Sequence, residues 1–211
     1  MNAKLHNMIE RQRQRMRALR DDASDLANTV ADEVWDNFEV EIEEATEDGY
    51  MFDMATSTQM ALSSMLAMSY DDAFERHVLG LFERQEKELR EAGAGEAAFA
   101  GARIDLAGLR KGLKLRRHAD EMIGQSIERS KPGLIGILFL SSAPCSDAWE
   151  HEHRDNARRL RSTLLDLREQ IVAAIREETT TVIQTARLAY SEMLDGVLNQ
   201  IATSQADKGA A

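Results

Sequence analysis

Lys131-Pro132-Gly133-Leu134-Ile135-Gly136-Ile137-Leu138-Phe139-Leu140-Ser141-Ser142-Ala143-Pro144 is the stretch on which the fold of this chain turns. The run from Gly133 to Leu140 has no polar side chain, and it is bracketed by the only two prolines in 211 residues. Proline has no amide proton and clashes with the preceding helical turn. The spacing therefore predicts that one helix ends near Lys131 and another begins after Pro144, with residues 131–145 as the apolar tip of a helical hairpin. An apolar tip on a charged hairpin marks a surface that touches something, unless the run folds back as a short buried strand or helix that caps the bundle.

Outward from the tip the chain reads as long helix. Charged residues make up 30% and aromatics 5%, and only 12 glycines interrupt the sequence. Such a composition points to long helices or coiled coil. From Leu5 the apolar positions step by four and three through Ile9, Gln12, Met16, Leu19, Ala23, Leu26 and Val30, a heptad seam with one glutamine in it. Through Val34, Phe38 and Ile42 the step becomes four, a stutter that unwinds a left-handed supercoil. The glycine after Asp48 ends a first helix of about residues 3–48. A second helix, about 51–91, carries Met54, Ala61, Met65 and Met68 on one face, then Val78, Leu81 and Leu89. Ser69-Tyr70-Asp71-Asp72 followed by Glu75 resembles a capping box and predicts a kink there.

Gly93-Ala94-Gly95 forms the next turn. The third helix, about 96–130, carries Ile104, Leu109, Leu113, Ile123 and Ile127, with Gly101, Gly108 and Gly112 admitting a close neighbour. Asp147 and Glu150 cap a fourth helix whose seam reads Leu160, Leu164, Leu167, Ile171, Ala174, Val182, Ala186, Ala189, Met193 and Ile201. The run Glu177 to Thr181 is its weak point, and residues 205–211 are expected to be a disordered tail. The expectation is thus an all-α fold: one elongated antiparallel bundle or coiled coil of about four long helices over 1–204. Its hairpins are 3–92 and 96–204.

The charge pattern agrees with an up-down order of helices. Residues 1–20 carry six Arg or Lys against one Glu, while residues 21–53 carry thirteen acids and no base. Within one helix this runs against the macrodipole, so neighbours are expected to compensate it. Antiparallel alignment sets Glu33 to Glu39 beside Arg110 to Arg117 and Arg158 to Arg161, and Arg11 to Arg20 beside Glu83, Glu86, Glu88 and Glu177. An antiparallel dimer through the first helix satisfies part of the same pattern.

The function classes narrow accordingly. A net charge of -11 disfavours nucleic acid as a partner. Residues 1–20 lack the aromatic residues of a single-strand arm. The lone Cys145 rules out an intrachain disulfide framework and a cysteine zinc site, and with no apolar leader it points to the cytoplasm. Glu150 and His153 have the Glu-x-x-His spacing of helical di-iron bundles, but His6, His77 and His118 lack a Glu three residues earlier, so the second motif is missing. A solvated first turn accounts for Glu150 to His153 better. Met51, Met54, Met60, Met65 and Met68 offer either an adaptable binding surface or, more commonly at helical spacing, a core stripe; Trp35 and Trp149 lie toward the tip end, where anchoring at an interface is the alternative to the commoner burial against the bundle. No phosphate loop, nucleophile elbow or paired-carboxylate signature is present, so no catalytic residue, metal or cofactor is expected.

The expectation is a non-enzymatic structural or adaptor protein. Leu134, Ile135, Ile137, Leu138, Phe139 and Leu140 assemble it with itself or with a protein partner. The alternative is a membrane-active protein that inserts the same tip into a membrane surface. In architecture, the hairpin from about residue 96 to 204 resembles the stalk and membrane paddle of bacterial dynamin-like proteins, or a component of an α-helical pore-forming toxin. The nucleotide-binding segment of the dynamin-like proteins is missing.

Overall fold

The computed structural model describes residues 3–47, 55–94, 120–125, 127, 155 and 158–209. Among these the fold is all-α, with no strand. Helix α1 runs over Ala3–Glu47 and α2 over Ala55–Phe74. A π-helical turn, Glu75–Leu79, leads directly into α3, Gly80–Glu91. Residues 120–125 and 158–165 are helical, and α4 covers Arg168–Gly209. The chain divides into two compact units. The first comprises Met1–Val30, Ala73–Leu113 and Arg176–Ala211, and the second Ala31–Asp72 and Lys114–Ile175.

In the first unit, α1 lies antiparallel to both α3 and α4. Lys4 Nζ donates to the Glu91 carbonyl at 3.5 Å and Gln12 Nε2 to the Gln85 carbonyl at 2.8 Å, so residue numbers rise on one helix as they fall on the other. The Tyr190 hydroxyl donates to Gln12 Oε1 at 2.8 Å, and Gln184 Nε2 donates to the Arg20 carbonyl at 3.0 Å, which gives the same sense for α4. The core of this unit contains Ile9, Met16, Phe74, Val78, Phe82, Leu89, Ile183, Ala186 and Leu194, all nearly or fully buried. In the second unit Val34, Trp35, Phe38 and Ile42 are buried, as are Leu62, Leu66, Tyr70, Ile123, Leu160, Leu164 and Ile171. Trp35 meets Phe38 edge-on at 5.9 Å, and its indole N–H donates to Glu39 at 3.2 Å. Aromatic packing with a satisfied polar end is the usual form of a buried tryptophan.

Several local expectations are corrected. Along α1 the buried stripe takes Ala27 and leaves Leu26 half-buried. A strict heptad drifts by about 20° per repeat on a straight helix, so by the fourth repeat the core side has moved on by one residue. The capping-box sequence at Ser69 neither starts nor breaks a helix; the irregularity is the π turn just beyond it. Leu62, Leu66, Tyr70, Phe74, Val78 and Phe82 are all buried at a constant step of four. On an ideal helix each such step rotates the stripe by about 40°. A π turn holds more residues per revolution and offsets that rotation between Phe74 and Phe82, all within the first unit.

The run Glu177 to Thr181 does not weaken the last helix, because α4 is continuous across it. Thr179 is fully buried within the stripe, and Thr181 and Thr185 each donate a hydroxyl proton to the carbonyl four residues earlier, at 2.9 Å. The break comes instead at Asp166 and Leu167, where the Leu167 amide bonds the Leu164 carbonyl at 3.0 Å, a tighter turn. Helix α4 also continues beyond Ser204 to Gly209.

At the end of α3, Gly93 has φ 101°, its amide bonds the Arg90 carbonyl at 2.9 Å, and the Ala94 amide bonds the Leu89 carbonyl at 3.1 Å. These two bonds form a Schellman cap, which needs a residue tolerant of positive φ at this position.

Candidate functional site

The tip residues Leu134, Ile135, Ile137, Leu138, Phe139 and Leu140 lie outside the described residues. So do Cys145, Trp149, Glu150, His151, Glu152, His153, Gly101, Gly108, Gly112, Met51 and Met54, together with the bases Arg110 to Arg117. Two arrangements within the described residues combine polar chemistry or unusual exposure: one inside the first unit, the other on the surface of the second.

Inside the first unit, Gln12 of α1, Gln85 of α3 and Tyr190 of α4 form a polar layer. Their relative exposures are 0%, 4% and 2%. Gln12 sits at a seam position, so helix periodicity directs it inward whatever its polarity. Its amide bridges the layer, donating to the Gln85 carbonyl and accepting from the Tyr190 hydroxyl, while Phe82 packs on the Tyr190 ring at 5.8 Å. Burial pushes the Tyr190 hydroxyl pKa well above the usual tyrosine value, and the nearby Glu86 and Glu88 add to this, so at neutral pH the group is a firm donor. Gln85 Oε1 is buried without a hydrogen-bond partner. A buried polar layer in a helical seam favours one axial alignment of the helices over shifted ones, because any slip leaves donors and acceptors unpaired. Sequence reading identified Gln12 but missed Tyr190. The expected seam passed through Ala189, and the two adjacent apolar positions differ by only 100° around the helix.

Charged pairs surround this layer. Arg15 bonds Glu88 at 2.7 Å, and Arg13 pairs with both Glu10, at 3.0 Å, and Asp195. Its hydrogen bond to Asp195 raises the Arg13 pKa further. Arg90 bonds Glu86 at 2.6 Å. The expected facing of Arg11 to Arg20 toward Glu88 is therefore realised at Arg15, while Asp195 was not foreseen as a partner. In the second unit Arg161 pairs with Glu43. All these pairs are partly exposed, so each contributes under about 1 kcal/mol, and their weight lies in alignment.

In the second unit, α2 is anchored along one flank. Gln59 Nε2 donates to the Asp120 carbonyl at 3.1 Å, and the Ser63 hydroxyl donates to the Asp120 carboxylate at 2.8 Å. A Cβ built on Gly124 comes within 2.7 Å of Gln59 Nε2, so this glycine admits the Gln59 side chain. The methionines depart from the core stripe expected of them. Met60 is 63% exposed and Met68 65%, Met65 is intermediate, and Leu62, Leu66 and Tyr70 hold the buried side. Apolar residues surround this helix, so periodicity does not select a face, and packing decides which ones are covered.

Among the described residues no group of three or more His, Cys, Asp or Glu is placed to hold a metal ion, and no helix is long and apolar enough to cross a membrane. Comparison with known proteins finds no matching family model, no matching curated protein and no matching solved structure.

Proposed function

We propose that this protein is a non-enzymatic structural or adaptor component, built as an antiparallel bundle of about four long helices, that assembles with itself or a protein partner through Leu134 to Leu140. The observation that carries this reading is the register-setting layer of Gln12, Gln85 and Tyr190 on long helices. Helix α1 has 45 residues, about 67 Å at 1.5 Å per residue, and buries apolar side chains from Leu5 to Ile42. Some of its polar side chains serve alignment: the buried Gln12 bridges two helices, Arg15 pairs with Glu88 of α3 and Arg13 with Asp195 of α4. Interactions that set alignment, with no reacting group among them, suit a structural component.

The test is light scattering on the wild type and on an Ile137→Asp, Leu138→Asp variant, each with and without liposomes. The reading expects the variant to lose an assembly that the wild type forms in buffer, with no lipid binding by either. A wild type that is monomeric in buffer and joins liposomes through an intact tip refutes it and replaces assembly with membrane insertion.

A further inference from the structure

We propose that Met60 and Met68, on the outward side of α2, are a paired oxidation site: each takes one oxygen from a hydroperoxide-class oxidant and becomes methionine sulfoxide while the fold stays intact. The site uses no residue of the apolar tip.

Oxidation at sulfur needs contact between the thioether and a dissolved oxidant, so it follows exposure. The described methionines fall into three classes. Met60 is 63% exposed and Met68 65%, Met8 and Met65 are intermediate, and Met16, Met122 and Met193 are buried. A buried methionine meets a solute only through local opening, which divides its rate by the ratio of closed to open molecules. Packing, and not residue type, therefore sets the order of reaction. Along α2 the buried side is held by Leu62, Leu66 and Tyr70, with Met60, Ser64 and Met68 exposed. Met60 and Met68 stand eight residues apart, about 12 Å along the axis, so the two react independently.

In each step a sulfur lone pair attacks one peroxide oxygen and the O–O bond breaks. Sulfur gives up two electrons and keeps that oxygen. The other oxygen leaves as water from hydrogen peroxide, or as an alcohol from an organic hydroperoxide, taking up the proton of the attacked oxygen. On Met60 and Met68 the new oxygen lies on the solvent side of the helix, where water donates hydrogen bonds to it and no packed atom is displaced. The same oxygen on Met16 or Met193 is a polar group inside the core, where burial without a partner is costly. Exposure thus decides both which methionines react and that their reaction is tolerated. The outcome is a change of surface. Between Ala55 and Tyr70, a window with no Asp, Glu, Lys or Arg, the exposed row Met60, Ser64 and Met68 passes from two thioethers flanking a hydroxyl to polar groups throughout. A sulfoxide is returned to the thioether by methionine sulfoxide reductases, which supply two electrons and release the oxygen as water.

The experiment exposes the folded protein to hydrogen peroxide in large excess and follows each methionine by tandem mass spectrometry, with urea midpoints measured along the time course. Expected are similar single-exponential rates at Met60 and Met68, each at least about tenfold above those of Met16, Met122 and Met193. The gap closes in urea beyond the unfolding transition. A Met60→Leu, Met68→Leu variant serves as the control for tolerance; both sites are mostly exposed, so it keeps the fold of the parent. Under the same exposure its midpoint follows the same course as that of the wild type. Rates at Met60 and Met68 no faster than those of the buried methionines overturn the proposal. So does a gap that persists in urea, because it then owes nothing to the fold. A midpoint that falls as Met60 and Met68 react, and stays fixed in the Leu variant, overturns it as well, since the added oxygens are then not tolerated.

Discussion

Replacing Tyr190 with Phe removes one oxygen and leaves the ring on Phe82 in place, which isolates the polar layer from its packing. Gln12 Oε1 then loses its donor at a site with no water exposure. A buried acceptor left unpaired costs about 1–3 kcal/mol. Gln12→Leu strands the Tyr190 hydroxyl instead, at a similar cost. The Gln85 carbonyl is spared, because it lies within α3 and keeps its helical bond. The double variant leaves neither partner unpaired and fills the layer with apolar groups of similar volume, so its stability is expected within about 1 kcal/mol of wild type. The losses are therefore non-additive, with a coupling of at least about 1 kcal/mol. In a chain of this size each kcal/mol shifts the Tm by about 2–4 °C. The assay is urea denaturation followed by far-UV circular dichroism on the four members of the cycle, comparing midpoints at equal slope. A double variant that loses the sum of the two single losses refutes the reasoning, because the hydrogen bond then couples nothing.

The raised pKa of Tyr190 carries a sign for pH dependence. The folded state holds the proton above about pH 10, where an unfolded tyrosine releases it. The unfolded state then binds fewer protons, so this contribution to stability is complete below about pH 10 and is lost as pH rises beyond it. Thermal melts across the alkaline range are expected to fall less steeply for Tyr190→Phe than for wild type, and equal slopes count against the burial argument. Two glycines are expected to respond in opposite directions in chemical denaturation. Gly196 is exposed within α4 with nothing within 4 Å of a built Cβ, so Gly196→Ala stabilises by about 1 kcal/mol. Gly93 holds the Schellman cap at positive φ, so Gly93→Ala destabilises by about 1–2 kcal/mol.

Where the amphipathic signal is strong, the helices were legible before the structure. In α1 the positions Leu5, Ile9, Met16, Leu19, Ala23, Val34, Phe38 and Ile42 are all buried as the periodicity implies, and Gln12 joins them despite its polarity. Where apolar residues surround a helix the signal fails. In α2 the sequence offers methionines, alanines and leucines on every side, and it pointed to the face with Met65 and Met68 while the structure buries Leu62, Leu66 and Tyr70. Of the candidate sites, Trp35 is buried and Arg15 finds Glu88, while the tip residues fall outside the described part of the chain. The hydrogen-bonded layer was half legible. A glutamine in a heptad seam announces itself, but its partner is one of several residues on another helix, and the choice depends on axial alignment.

The sequence by itself determined the secondary structure class, because helix propensity, periodicity and chain-breaking residues are local and act within a few turns. Only the tertiary structure decided which residues meet: that Gln12 lies between Gln85 and Tyr190, that Arg13 reaches Asp195, and that Met60 and Met68 are left outside. Those outcomes depend on how one helix is rotated and shifted against another. A rotation of 100° or a shift of 1.5 Å moves the contact to the next residue. Such choices are made by the packing of side chains distant in sequence, among them the π turn that keeps Phe74, Val78 and Phe82 in the core of the first unit.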